Sequence, residues 1–377
     1  MSDVSAIDTQ VVNQPHPPLR VVSEQTHISA DSAPNQTRMH PRVMASTPHA
    51  PVLVRPITDA LAVGGDEPAV IVDCTLGAGG HALALFAASG KNLHIVGFDR
   101  DPAAQELAGN RLVAFKNRLH QIHAPFDQFT EQVKPILDAL DAPLAGVLWD
   151  LGVSSMQLDT PGRGFSFRSL GPVDMRMDPT TGMSAADFID AADMDELRHI
   201  IRIYGEEPAA DAIARALVTA RPFKNTVELA EVVVAAMPAR DVRKMFKRGV
   251  HPATRTFQAL RIAVNGELDR FEASLPQALD LLAPPSTQLG GRGGRLAILS
   301  YHSLEDRIAK QFIAQAANPC VCPPGLPVCG CDRTASLQPI TRGAHHPTAE
   351  EISENPRARS AKLRIAERLE EPMGSEA

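Results

Sequence analysis

The sequence predicts an α/β protein: a parallel sheet wrapped by helices, with an all-helical block set into it. Short β-rich runs, AVIVD (69–73), LHIVGFD (93–99), LHQIHA (119–124) and AGVLWD (145–150), alternate with helical or mixed segments such as HALALFAAS and DPAAQELAGNRLVAF. Such alternation means βαβ units and parallel strands. After Asp150 the pattern breaks. Over 157–251 a Gly- and Arg-rich loop leads into the helical runs MDELRHIIRIYG, PAADAIARALVTAR and TVELAEVVVAAM, with no buried strand. A further long helical stretch (254–283) precedes a returning strand in GRLAILSY (294–301). Taken in order, residues 1–47, rich in Pro, Ser, Thr, Gln and Asn without apolar periodicity, read as a disordered extension. Residues 48–156 and 252–370 then form one discontinuous sheet-bearing domain, 157–251 an inserted helical domain for substrate recognition, and 371–377 a tail.

Composition sets outer limits. The 377 residues are 44% hydrophobic and 21% charged, and no apolar run approaches the ~18 residues of a membrane span. The start of the chain carries Asp3 and Asp8 and no basic-then-apolar leader, so a cytoplasmic protein without a membrane partner is expected. Five cysteines, four of them clustered, do not make a disulfide framework. A net charge of −7 argues against indiscriminate coating of nucleic acid, which draws on surplus Lys and Arg. Local basic clusters exist all the same. Arg243, Lys244, Lys247, Arg248, Arg255, Arg261 and Arg270 form one, and the tail ENPRARSAKLRIAER another, with Arg357, Arg359, Lys362, Arg364 and Arg368.

In a doubly wound sheet, ligands sit outside the carboxyl ends of the strands. The stretch VIVDCTLGAGGHALAL (70–85) runs a strand into Gly77, Gly79 and Gly80 and leaves as a helix, which brings bare backbone N–H groups and a helix N-terminus to a ligand. A dinucleotide fingerprint needs a third glycine, and Ala82 follows His81 instead, so a pyrophosphate is not the first choice. Asp99 lies 20 residues beyond Gly79 at the end of the second strand, where a carboxylate takes both hydroxyls of a ribose, although DRDP also suits a helix cap. Asp150 ends the fourth strand, and Gly152, Ser154 and Ser155 make the loop behind it a close-approach surface. Phe126 and the run Tyr301-His302-Ser303 fall at other strand exits.

The loop RGFSFRSLGPVDMRMD (163–178) is not a core pattern: Phe165 and Phe167 suit base stacking, and Arg163, Arg168 and Arg176 suit phosphates, with a salt-bridged cover for the sheet as the alternative. Cys320, Cys322, Cys329 and Cys331 make two C-x-C pairs, open between a tetrahedral zinc site and plain thiols.

The segments HAPVL, DCTLGAGGHA, GFDRDPAA, DLGVSSMQLDTPGRGFSFRSLGPVDMRMD, YGEEPAADAIARAL, HPATRTFQALRIAVNGEL, LSYHSLEDRIAKQF and NPRARSAKLRIAER, in that order over about 49–368, resemble the small-subunit ribosomal RNA methyltransferase H (MraW) family. The resemblance implies a class I, Rossmann-like methyltransferase using S-adenosyl-L-methionine, with an inserted helical domain. It also implies N4-methylation of a cytidine in the decoding centre of 16S rRNA, within the assembled small ribosomal subunit. The family's cofactor contacts fall on Gly79, Gly80, His81, Asp99, Phe126, Asp150 and Gln157. Many amino-group methyltransferases hold the amine with an Asp/Asn/Ser-Pro-Pro-aromatic turn, but this chain has Asp150-Leu151-Gly152-Val153. Asp150, Ser154 and Ser155, then His302 and Glu305, are therefore the candidate acceptors, with Arg255 added to the RNA-contact set. A DNA amino-methyltransferase and a non-catalytic assembly factor are the rival classes. The oligomeric state stays open, a homodimer included.

Overall fold

The computed structural model describes residues 51–323, 330–331 and 333–370. The first half runs α1 (Val54–Leu61), β1 (Ala69–Asp73), α2 (Gly80–Ala88), β2 (Leu93–Phe98), α3 (Pro102–Arg111), β3 (Leu119–Ile122), α4 (Phe129–Leu140) and β4 (Leu144–Asp150). Helices α5 (Ser155–Asp159), α6 (Ala185–Ala191), α7 (Met194–Ile203), α8 (Ala210–Ala220), α9 (Thr226–Ala236), α10 (Ala239–Lys247), α11 (Thr254–Asn265) and α12 (Glu267–Leu281) follow. The chain returns to the sheet through β5 (Arg295–Ser300), α13 (Ser303–Ala317), β6 (Leu337–Pro339), α14 (Ala349–Glu354) and β7 (Lys362–Arg368).

The strands lie in the order β3-β2-β1-β4-β5-β7-β6. The first five are mutually parallel, and β7 runs antiparallel to both β5 and β6. All five residues of β1 are buried. Their two-residue period sorts them between layers. Ile71 packs with Leu61 and Leu85 on the α1–α2 face, while Val70 and Val72 pack with Val133 and Phe271 on the α4–α12 face. On that second face Trp149 is fully buried, meets Phe271 edge-on at 6.1 Å, and donates its indole N–H to Ser274 Oγ at 3.1 Å.

A third core belongs to the helices between β4 and β5. Leu197, Ile201, Ile213, Leu217, Leu229 and Val233 form its centre, with Phe165 and Met175 from the preceding loop. Phe257, Ala259 and Leu260 of α11 join this core, whereas Phe271 and Leu275 of α12 join the sheet. Gly266, at φ 58°, ends the one helix and starts the other. We propose that the inserted unit runs on to Gly266 rather than stopping at residue 251.

The basic C-terminal cluster is largely structural. Lys362–Arg368 is a sheet strand whose Leu363 and Ala366 are fully buried. Lys362 and Arg364 pair with Asp306 on α13 at 3.0 and 2.8 Å, and Arg357 pairs with Asp159. Among the described residues no helix is long and apolar enough to cross a membrane.

Because Phe271 has no exposed surface and backs the only tryptophan, Phe271→Ala should lower the free energy of unfolding by about 3–5 kcal/mol, read from urea denaturation followed by tryptophan emission.

Candidate active site

A cavity of about 620 Å³ opens above the carboxyl ends of β1, β2, β4 and β5. Its lining brings together Gly80, His81, Asp99, Phe126, Asp150, Ser154, Ser155, Gln157, His302 and Glu305, residues spread over more than 200 positions. The inserted unit adds Met177, Thr254, Gln258 and Arg261. The glycine turn is shaped for close approach. Gly77 and Gly79 have φ of 52° and 73°, and a Cβ on Gly79 would lie 2.8 Å from Leu112 Cδ1. At Gly80 a Cβ would lie 2.5 Å from Pro51 Cγ.

Three carboxylates, a tyrosine and a histidine set the electrostatics. Asp73 ends β1 with Oδ1 accepting from the Thr75 N–H at 3.1 Å, while Oδ2 is buried without a hydrogen-bond partner among the described residues. Burial raises its pKa to about 6, against the pull of nearby His81. Asp99 is likewise raised to about 6 by burial, although its oxygens accept from the N–H groups of Asp101 and Gly77, each at 2.9 Å. Asp150 accepts from the Tyr301 hydroxyl through Oδ1 at 2.9 Å, and its Oδ2 lies 3.4 Å from His81 Nε2. Burial, and then Asp150, push the Tyr301 phenol well above its ordinary pKa, so it stays a donor. For buried His81, desolvation opposes charge, but Asp150 and Asp73 outweigh it and raise the pKa. Neither ring nitrogen of His81 completes a hydrogen bond with the described residues.

Several candidates hold structural posts as well. Ser154 caps α5 in a capping box, its Oγ accepting from the Gln157 N–H at 3.2 Å while Gln157 Oε1 accepts from the Ser154 N–H at 3.1 Å. The Gln157 side-chain amide donates to Asp101 Oδ2 at 3.0 Å. His302 caps α13, with Nε2 3.0 Å from Glu305 Oε1. The other oxygen of buried Glu305 accepts from the backbone N–H groups of Tyr301 and His302. Asp101 was not among the sequence-derived site residues, the double acid of DRDP being its available signal, and Tyr301 was read only as part of a strand-exit run, without a role.

The loop over 163–178 departs from expectation. Phe165 is 7% exposed and sits in the helical core under the Arg163 guanidinium, so it presents no open face to a base. Arg163 is tied to Asp101 and to the carbonyls of Arg176 and Met177, and Arg176 to both oxygens of Asp174. Arg255, half exposed, pairs with Glu207 at 3.6 Å. None of these lines the cavity. Phe167 and exposed Arg168 line a separate groove of about 330 Å³ with Phe246, Gly249, Val250 and His251. Cys320, Cys322 and Cys331 lie at the far end of α13, and Cys329 falls outside the described residues.

A glycine turn with no third glycine for a pyrophosphate, and carboxylates at the exits of β2 and β4, suit a nucleoside above a sheet of this strand order. With the family match that follows, the chain is a Rossmann-like methyltransferase that uses S-adenosyl-L-methionine. It belongs to the MraW methylase family, whose family model matches residues 46–369. Similar proteins named ribosomal RNA small subunit methyltransferase H occur in Dehalococcoides mccartyi, 46% identical over 332 residues (87% of this chain, 89% of the relative). Another, in Streptomyces avermitilis, is 45% identical over 333 residues (87% and 99%). The solved structure of TrmN from Thermus thermophilus aligns with 84% of this chain and 47% of its own at 11% identity, with a TM-score of 0.34, too low to argue from. The cavity volume, and a His81 ring that faces Asp150 without completing a hydrogen bond among the described residues, fit the methyl donor.

A carboxyl whose folded pKa lies above its unfolded value near 3.8 loses stability as pH rises through the folded value, because the native state must then hold the charge. Asp73→Asn should therefore be more stable than the parent near pH 8 without methyl donor, by up to roughly 3 kcal/mol, with the gap closing toward pH 4. Denaturant unfolding at the two pH values checks this; a gap independent of pH contradicts it.

Proposed function

We propose that the chain methylates the exocyclic N4 of a cytidine in the decoding centre of 16S rRNA, within the assembled small subunit. Ribosomal RNA methylation is the activity named for its relatives. What supports an amine as acceptor is one observation: Asp150, a quarter exposed on the cavity wall, accepts from the Tyr301 hydroxyl, whose pKa burial pushes well above its ordinary value. S-Adenosyl-L-methionine supplies a methyl group on a positively charged sulfur. Gly80, His81, Asp99, Phe126, Asp150 and Gln157, which line the cavity, would hold it, whereas Gly79, expected among them, shapes the turn without lining the cavity.

The lone pair of a cytosine amine is delocalised into its ring. An acceptor must take an amine hydrogen to turn that pair outward, and must receive the proton released once nitrogen gains its fourth bond. Asp150 fits both needs, with Tyr301 fixing the carboxylate. Ser155 is a second acceptor on the cavity wall. Ser154, His302 and Glu305 are held by their capping bonds and serve to position the wall. Most of the rate gain comes from alignment of nucleophile and methyl group. The base leaves its stack to enter.

For RNA contact we infer the groove of Phe167, Arg168, Phe246 and His251. Phe167 stacks on His251 at 4.4 Å, Phe246 stands half exposed beside them, and Arg243, Lys244, Lys247 and Arg248 are exposed next door. An aromatic shelf edged with cations takes an unstacked nucleotide.

With labelled methyl donor, small subunits lacking N4-methylcytidine should take label on one cytidine amine, and naked 16S rRNA and DNA should not. Label on DNA supports a DNA enzyme, and bound donor without label an assembly factor. Phe246→Ala should raise KM for subunits about tenfold, in the range of ~1–3 kcal/mol per stacked base, with donor affinity unchanged. An unchanged KM removes the groove from the RNA path.

A further inference from the structure

We propose that Cys320, Cys322 and Cys331 bind a zinc ion that staples the connection between α13 and β6. Their three sulfurs lie within 4.8 Å of one another, although the residues span twelve positions of a proline-rich segment. On a tetrahedral zinc with Zn–S bonds of about 2.3 Å, sulfurs stand roughly 3.8 Å apart, so closure needs shifts of only about 1 Å. The Gly330 N–H points at Cys322 Sγ at 3.4 Å. Thiolates select soft or borderline ions over magnesium, calcium or manganese. Three convergent sulfurs among the described residues make most of a tetrahedral set, whose remaining ligand we leave unassigned.

The surroundings show what the ion would do. Residues 318–336 join α13 to β6 with no helix or strand among the described ones, a length that is uncommon without a fastening. Strand β6 has three residues and sits at the sheet edge, paired only to β7. Besides that ladder, the Ser336 N–H bonded to the Ala316 carbonyl at 2.9 Å anchors its approach. Closing the loop through metal removes much of the chain freedom that would pull this edge apart. Helix α13 spans about 22 Å from its capping His302 in the cavity to its far end near Cys320, so the ion stands away from the methyl-transfer site.

The test is metal content of the full chain, purified without chelators and with reductant present, by plasma mass spectrometry. We expect one zinc per chain, released by an organomercurial, and a sulfur-to-cobalt charge-transfer band when cobalt replaces it. Cys320→Ser and Cys331→Ser should lose the zinc, lose hydrogen-exchange protection at 337–339, and bind methyl donor within about twofold of the parent. A parent chain without zinc and without the cobalt band overturns the proposal. So does copper or iron with sulfide in zinc's place, or a disulfide between any two of the three in peptide mapping. Should the variants fail to fold, the parent measurement decides. Metal content reads the same whether or not the chain methylates RNA.

Discussion

One buried carboxylate, Asp101, ties the sheet to everything built upon it. Its Oδ1 caps α3 through the Ala103 N–H at 3.1 Å, and its Oδ2 receives Gln157 at 3.0 Å and Arg163 at 2.7 Å. Arg163 then carries the connection on to the carbonyls of Arg176 and Met177. Asp101 is 2% exposed and Arg163 17%, so removing either would leave the other's charge poorly solvated, at a cost on the order of 3–5 kcal/mol. The Asp101 N–H also holds Asp99 by Oδ1, so the same turn fixes a strand-exit carboxylate of the cavity. Site and scaffold share one joint.

The inserted helices are part of the cavity as well as neighbours to it. Arg100 reaches the Asn265 carbonyl, and the Asn265 side chain holds Met175 and Met177 by their backbones. Glu206, with φ of 47°, bonds Ser303 and Arg307 at the start of α13. Arg261 and Glu267 form a two-point ion pair across Gly266, and both border the cavity. The cavity wall is therefore drawn from both the sheet and the insertion.

The parallel strands were legible because each is a short β-rich run ending in a chemical residue, and Gly80, Asp99 and Asp150 were read from those exits, whereas His81 was named as a contact only with the family resemblance. Strand β7 was not, because Lys362 and Arg364 look like a solvated charge run until Asp306, more than fifty residues earlier, is placed beneath them. The alternation of those cations with buried Leu363 and Ile365 was the available sign of a strand. Phe165 read as a stacking ring because its partners come from helices far along the chain. The post held by Ser154 was visible as the S-x-x-Q spacing of a capping box, which competes with a catalytic reading of the same hydroxyl.

Strand β7 lies between β5 and β6, although it is the last strand of the chain. During synthesis β5 reaches the sheet only after 151–294 has been made, and even then its outer edge stays unpaired until residues 362–368 leave the ribosome. The helical insertion, rich in contacts between near neighbours in sequence, has time to form its own core first. Asp306, which receives Lys362 and Arg364, likewise waits for the C-terminus, and with it the first turn of α13 that carries His302 and Glu305. The cavity end of the sheet is thus completed late, and a chain cut short before β7 would carry every candidate site residue without a finished sheet to hold them.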